Sequence, residues 1–75
     1  MHIMTPEEFN RIMTPMLARL KVAARGIAGD DDRAEDLVQE ALLALWAMRS
    51  SLSRYESLIG LAVTVMQSID RKSVR

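Results

Sequence analysis

The stretch Asp30–Trp46, DDDRAEDLVQEALLALW, is acidic at its start and apolar at its end, and it limits the fold more than any other part of the chain. Wound at about 100° per residue, it separates into two faces. Ala34, Leu37, Val38, Ala41, Leu45 and Met48 recur at helical spacing and form a stripe that must meet a core. Glu35, Asp36, Gln39 and Glu40 lie roughly opposite, as a solvated face requires. That outer face then continues into Leu43 and Trp46. A Trp and a Leu beside three carboxylates and an amide suit a docking surface. They equally suit a Trp that folds over the end of a small core, and periodicity alone leaves both open.

A chain of 75 residues allows one small domain, spanning 1–75, and it buries only about 60% of its unfolded surface. It has one Trp, one Tyr and one Phe, so the core must be Leu, Ile, Val, Ala and Met. That composition favours helix packing over sheets. With no cysteine there is no disulfide and no thiolate metal site, which is consistent with a reducing cytoplasm. No signal peptide is visible, and no uncharged apolar run approaches the roughly 20 residues that span a bilayer. The expectation is a soluble cytoplasmic domain with no membrane partner.

The remaining segments also read as helices. Thr5-Pro6-Glu7-Glu8 is a helix start, with a Thr cap, Pro at the first position and Glu three residues after the Thr. Met1–Met4 before it reads as a frayed end. Phe9, Ile12 and Met13 give the first helix its apolar side. Pro15 lacks a backbone donor, so Thr14-Pro15 should kink the chain or start a new helix capped by Thr14. Leu17, Leu20, Ala24 and Ile27 then line a buried side, with Arg19, Lys21 and Arg25 outside. Gly29 stops that helix, and the Asp30–Asp32 run opens the next at its positive dipole end. Arg49–Ser57, RSSLSRYES, reads as a loop anchored by Leu52 and Tyr55, and Ser57 or Glu56 starts the last helix. There Leu58, Leu61, Ala62, Val65, Met66 and Ile69 form the buried arc, and Thr64, Gln67, Ser68, Arg71 and Arg75 form a polar stripe with Lys72 beside it. The fold class is therefore all-α, a compact bundle of three to four helices at about 6–13, 15–28, 31–49 and 57–74.

Chemistry-bearing patterns are sparse. The Asp30–Asp32 run lacks the alternation, the sixth-position Gly and the closing Glu of a calcium loop. His2 is the only histidine and sits in the frayed end, so no metal or histidine-based catalytic set can be assembled. No Ser has a His or Lys at a catalytic spacing, and there is no glycine-rich phosphate loop. No enzyme activity, metal or cofactor is expected. Charge is more telling. Residues 30–40 carry six acids against Arg33, whereas residues 41–75 carry Arg49, Arg54, Arg71, Lys72 and Arg75 against Glu56 and Asp70. Two partners of opposite character would account for that division, and so would chance in a small helical protein.

Taken as an ordered series, A-E-D-L-V-Q-E-A-L-L-A-L-W resembles the most recognisable segment of region 2 in sigma-70 family RNA polymerase sigma factors, especially the extracytoplasmic-function group. Upstream, Leu20, Ala24, Ile27, Gly29, Asp30, Ala34, Glu35 and Asp36 fit the family pattern L-x-x-x-A-x-x-I-x-G-D-x-x-x-A-E-D. Downstream, Trp46 to Leu58 fits W-x-M-R-x-x-L-x-x-Y-x-S-L, and A-V-T-V-M is similar to the opening of the last region 2 helix.

The resemblance implies a domain that docks on core RNA polymerase, at the clamp helices of the largest subunit, through Asp36, Gln39 and Glu40, with Leu43 and Trp46 beside them. It implies that the Ser50–Ser57 loop, with Ser51, Ser53, Arg54 and Tyr55, captures a base flipped from the single-stranded non-template strand of promoter DNA. It further implies that Thr64, Gln67, Ser68, Arg71, Lys72 and Arg75 on the last helix recognise and help to open the minus-ten element. An anti-sigma factor is a further implied partner. The chain departs from the family where Ser68 stands for the usual Asn and Lys72 for a common Asp; a two-residue gap would instead match Ile69-Asp70 to the family's Ile-Asp pair. These departures keep a second expectation in view, a sigma-like decoy that binds polymerase or an anti-sigma factor without opening DNA.

Overall fold

The computed structural model describes residues 4–72, and Arg75 and His2 lie outside them. Among the described residues four α-helices follow in order: α1 (Pro6–Met13), α2 (Leu17–Ala28), α3 (Asp31–Ala47) and α4 (Leu58–Lys72). Short 3-10 turns, Thr14–Met16 and Arg49–Arg54, fill two of the connections. There is no strand among the described residues, and the all-α expectation holds.

The helix ends follow the local chemistry. Thr5 caps α1: its Oγ1 accepts from the Glu8 amide at 3.2 Å, and the Glu8 carboxylate accepts from the Thr5 amide at 3.1 Å. Gly29 ends α2 at φ 88°, the left-handed conformation in which a Cβ would be strained. The Asp30 carboxylate then accepts from the Arg33 amide at 2.9 Å and starts α3. Arg25 pairs with Asp31 at 2.8 Å across this corner, with both side chains well exposed, so the pair adds little stability. The Ser57 Oγ accepts from the Gly60 amide at 3.1 Å at the start of α4, as the sequence suggested.

Two expectations need correction. Thr14 does not cap a new helix. Its hydroxyl donates back to the Asn10 carbonyl at 2.7 Å, the chain stays helical through the 3-10 turn, and α2 begins at Leu17 with no side-chain cap. The reason is Pro15: it removes one hydrogen bond, but its fixed φ remains helical, so the chain tightens rather than breaks. Residues 49–54 are likewise a 3-10 helix rather than an irregular loop. Leu52 anchors that turn in the core, but Tyr55 is 44% exposed and anchors nothing.

The core sits where α2, α3 and α4 pack pairwise, and α1 reaches it through Phe9 and Met13. Leu20, Leu45 and Met66 are its largest fully enclosed side chains, one from each of the three packed helices. The predicted α3 stripe is buried from Ala34 to Leu45, with Met48 partly so. On α4 the buried arc is wider than the sequence suggested, because Ile59 and Val63 also pack against the core. Arg33 and Asp70 meet at 3.4 Å and tie the start of α3 to the end of α4. The consequence for function is orientation: with one side of α3 committed to the core, its polar side must face out.

Candidate functional site: the outer face of the third helix

Glu35, Asp36, Gln39 and Glu40 are all exposed on α3. Leu43 continues this face and is 69% exposed, whereas Leu45, two residues on, is fully buried. A leucine held in water forgoes about 1.5–3 kcal/mol of burial. One exposed Leu is ordinary; this one belongs to a patch.

The patch is a surface cavity of about 540 Å³ between α1 and α3. From α1 come Pro6, Phe9 and Asn10, and from α3 come Gln39, Leu42, Leu43 and Trp46. Every lining side chain is apolar or an uncharged amide. Trp46 is half-buried and fixed on its ring. Phe9 meets it edge-on, with ring centroids 5.3 Å apart and planes at 73°. The Arg49 guanidinium carbon lies 4.1 Å from the ring centroid, and one of its terminal nitrogens donates to the Trp46 carbonyl at 2.9 Å. The two sequence alternatives for Trp46 are therefore not exclusive: it packs over the end of the core and also walls the cavity.

Sequence reasoning missed Phe9, Asn10 and Arg49 as parts of this face. W-x-x-R was a usable signal for Arg49, since i and i+3 are neighbours on successive turns. No local signal joins Phe9 to Trp46.

The expected nucleic-acid residues form a second region. Ser51 is half-buried, and Ser53, Arg54 and Tyr55 are exposed around the 3-10 turn. On α4, Thr64, Gln67, Ser68, Arg71 and Lys72 are all exposed. The Thr64 hydroxyl donates to the Gly60 carbonyl at 3.0 Å, so it is engaged with its own helix. Arg75, the last member of the expected stripe, lies outside the described residues. Among the described residues no group of acidic or histidine side chains is arranged to hold a metal ion. No described helix is long and apolar enough to cross a membrane.

The sequence series, the outward α3 face and the four-helix architecture point to the same family. The Sigma-70 region 2 profile matches residues 12–71. The chain belongs to the sigma-70 region 2 family. No curated protein and no solved structure matches it. A sigma-70 region 2 domain is a transcription-factor domain and not an enzyme family; it acts in transcription initiation, with core RNA polymerase and promoter DNA as its partners. The matched span contains both 3-10 turns, α2, α3 and α4 up to Arg71.

Proposed function

We propose that this sigma-70 region 2 domain docks on the clamp helices of the largest polymerase subunit through Asp36, Gln39, Glu40, Leu43 and Trp46, and that it reads the minus-ten promoter element with its 3-10 turn and α4. The observation that carries the docking half is Leu43, 69% exposed at the end of an exposed acidic face. A partner helix with cations and apolar side chains would cover that leucine and meet the carboxylates together. Placement in the extracytoplasmic-function group belongs to the same proposal. The test uses Trp46, the single tryptophan. On titration with core RNA polymerase labelled at a clamp cysteine with an acceptor dye, its emission should be quenched by energy transfer. Unchanged emission at saturating polymerase would place the interface elsewhere.

For the DNA half, the exposed Tyr55 ring with Ser51, Ser53 and Arg54 nearby suits capture of one unstacked base. Unstacking costs a few kcal/mol, and aromatic stacking returns roughly 1–3 kcal/mol per base. Thr64, Gln67, Ser68, Arg71 and Lys72, with Arg75 beyond the described residues, supply the contacts of α4. A hydroxyl at Ser68 accommodates several bases, whereas an Asn would hold an adenine edge bidentately, for about 1–3 kcal/mol of discrimination.

The second reading is a decoy that binds polymerase or an anti-sigma factor without opening DNA. It is favoured by the departures at Ser68 and Lys72, where the family usually has an Asn and commonly an Asp. Three cations in the stripe, Arg71, Lys72 and Arg75, set against the six acids of residues 30–40, give weak, salt-sensitive phosphate attraction. Wild type should therefore bind single-stranded non-template oligonucleotides weakly, more tightly than duplex, and less well as salt rises. Ser68→Asn should sharpen the preference for a matched over a scrambled strand, and Arg71→Ala should flatten the salt dependence by about one phosphate contact. Absent or salt-insensitive binding in all three proteins, in a fluorescence-anisotropy titration, would leave the decoy reading.

A further inference from the structure

We infer that the α1–α3 cavity is a socket for one large apolar side chain of a cationic partner helix, so that α1, and not α3 alone, forms the docking surface. The inference rests on the docking reading above and extends it to an element outside the usual face. Three observations carry it. The cavity volume, about 540 Å³, is several times the roughly 150 Å³ that encloses a benzene ring, so a Leu, Met or Phe side chain fits without rearrangement. Its wall is already built: the Trp46 indole packs in a T-shaped contact with Phe9 and carries the Arg49 guanidinium 4.1 Å from its ring centroid, so little side-chain entropy is lost on filling it. Its surroundings select the occupant, because no charge lines the cavity while Asp36 and Glu40 stand exposed on the same helix.

That arrangement has the anatomy of an interface centre: an apolar pocket, two amides (Asn10 and Gln39) at its lining, and carboxylates outside. The complementary surface is an amphipathic helix that presents one bulky apolar residue with Lys or Arg a turn away on either side. An acidic helix would meet repulsion before its apolar residue reached the socket. Phe9 and Arg49 are positioning residues in this scheme: they hold Trp46 in place.

The experiment fills the socket from within. Asn10 is exposed on α1 and lines the cavity, so Asn10→Trp should occupy it with little effect on folding. Affinity of the 75-residue chain for sigma-free core RNA polymerase should fall about tenfold or more, with helicity and Tm unchanged. Val22→Trp, at a 70% exposed position on α2 outside the cavity, should bind as wild type. Phe9→Ala should also weaken binding, but Phe9 is buried, so its loss of binding is scored only if the variant keeps the wild-type helical spectrum. Wild-type affinity for Asn10→Trp, with binding lost in Gln39→Ala/Glu40→Lys, would overturn the socket and leave the docking face intact. Wild-type affinity in both would overturn the docking reading as well.

Discussion

Leu45→Ala is expected to unfold the domain, and Leu43→Ala, two residues earlier on the same helix, is expected to leave it folded. Leu45 is fully enclosed where α2, α3 and α4 meet, so truncation removes its burial and leaves a cavity that the surrounding helices fill only in part. Changes of this kind cost about 2–5 kcal/mol. A core in a chain this short supplies about 3–5 kcal/mol of net stability, so the loss is comparable with the whole. Leu43, at 69% exposed, has little burial to lose, and its truncation should change stability by less than about 0.5 kcal/mol. Circular dichroism at 222 nm with thermal melting separates the two. A cooperative melt for Leu45→Ala within a few degrees of wild type would mean that the core is not where these helices put it. Leu43→Ala should instead show its effect in weaker polymerase binding.

This contrast also explains how much of the molecule was legible in the sequence. On α3 the heptad-like spacing of Ala34, Leu37, Val38, Ala41 and Leu45 left one solution for the buried side, and those residues are buried. Helix starts and stops were equally legible, because Thr5, Gly29, Asp30 and Ser57 act on neighbours within four residues. Pro15 was harder. Its missing donor predicts an interruption, but its fixed φ stays helical, so the chain tightens into a 3-10 turn rather than breaking. Of the two anchors expected in the segment Arg49–Ser57, Leu52 alone is buried, and Tyr55 is 44% exposed.

The site was legible in part for the same physical reason. The polar α3 face and Leu43 follow from a single helix, whose geometry is local. The cavity needs Phe9 and Asn10 from an element 29 to 37 positions away from the α3 residues they face, counting from Asn10 to Gln39 and from Phe9 to Trp46. Pairings at that separation leave no periodic trace in one sequence. Trp46 is ambiguous in the sequence for this reason: its packing partner Phe9 lies on another helix, and the α3 periodicity alone leaves packing and docking both open.

The double variant Gln39→Ala/Glu40→Lys is expected to lose most of its affinity for core polymerase while becoming no less stable. Both residues are exposed on α3 and take no part in the core. Glu40 moreover sits four residues after Asp36, one helical turn on, so two like charges face each other at a cost of a few tenths of a kcal/mol. Glu40→Lys converts that repulsion into an attractive i, i+4 pair, and Ala is a better helix former than Gln by a few tenths of a kcal/mol. The melting temperature should therefore stay level or rise. Binding should move the other way, since a carboxylate that meets a cationic helix becomes a like charge, and disrupting such a pair costs about 2–5 kcal/mol at a buried contact. A loss of roughly 100-fold corresponds to about 2.7 kcal/mol, within that range. Isothermal titration against core polymerase, beside a melt of each protein, reads both quantities. Opposite signs would identify α3 as a face that keeps its acidic cluster for a partner at some cost to its own helix. A parallel fall in stability and affinity would make Gln39 and Glu40 structural, and retained affinity would move the polymerase contact off this face.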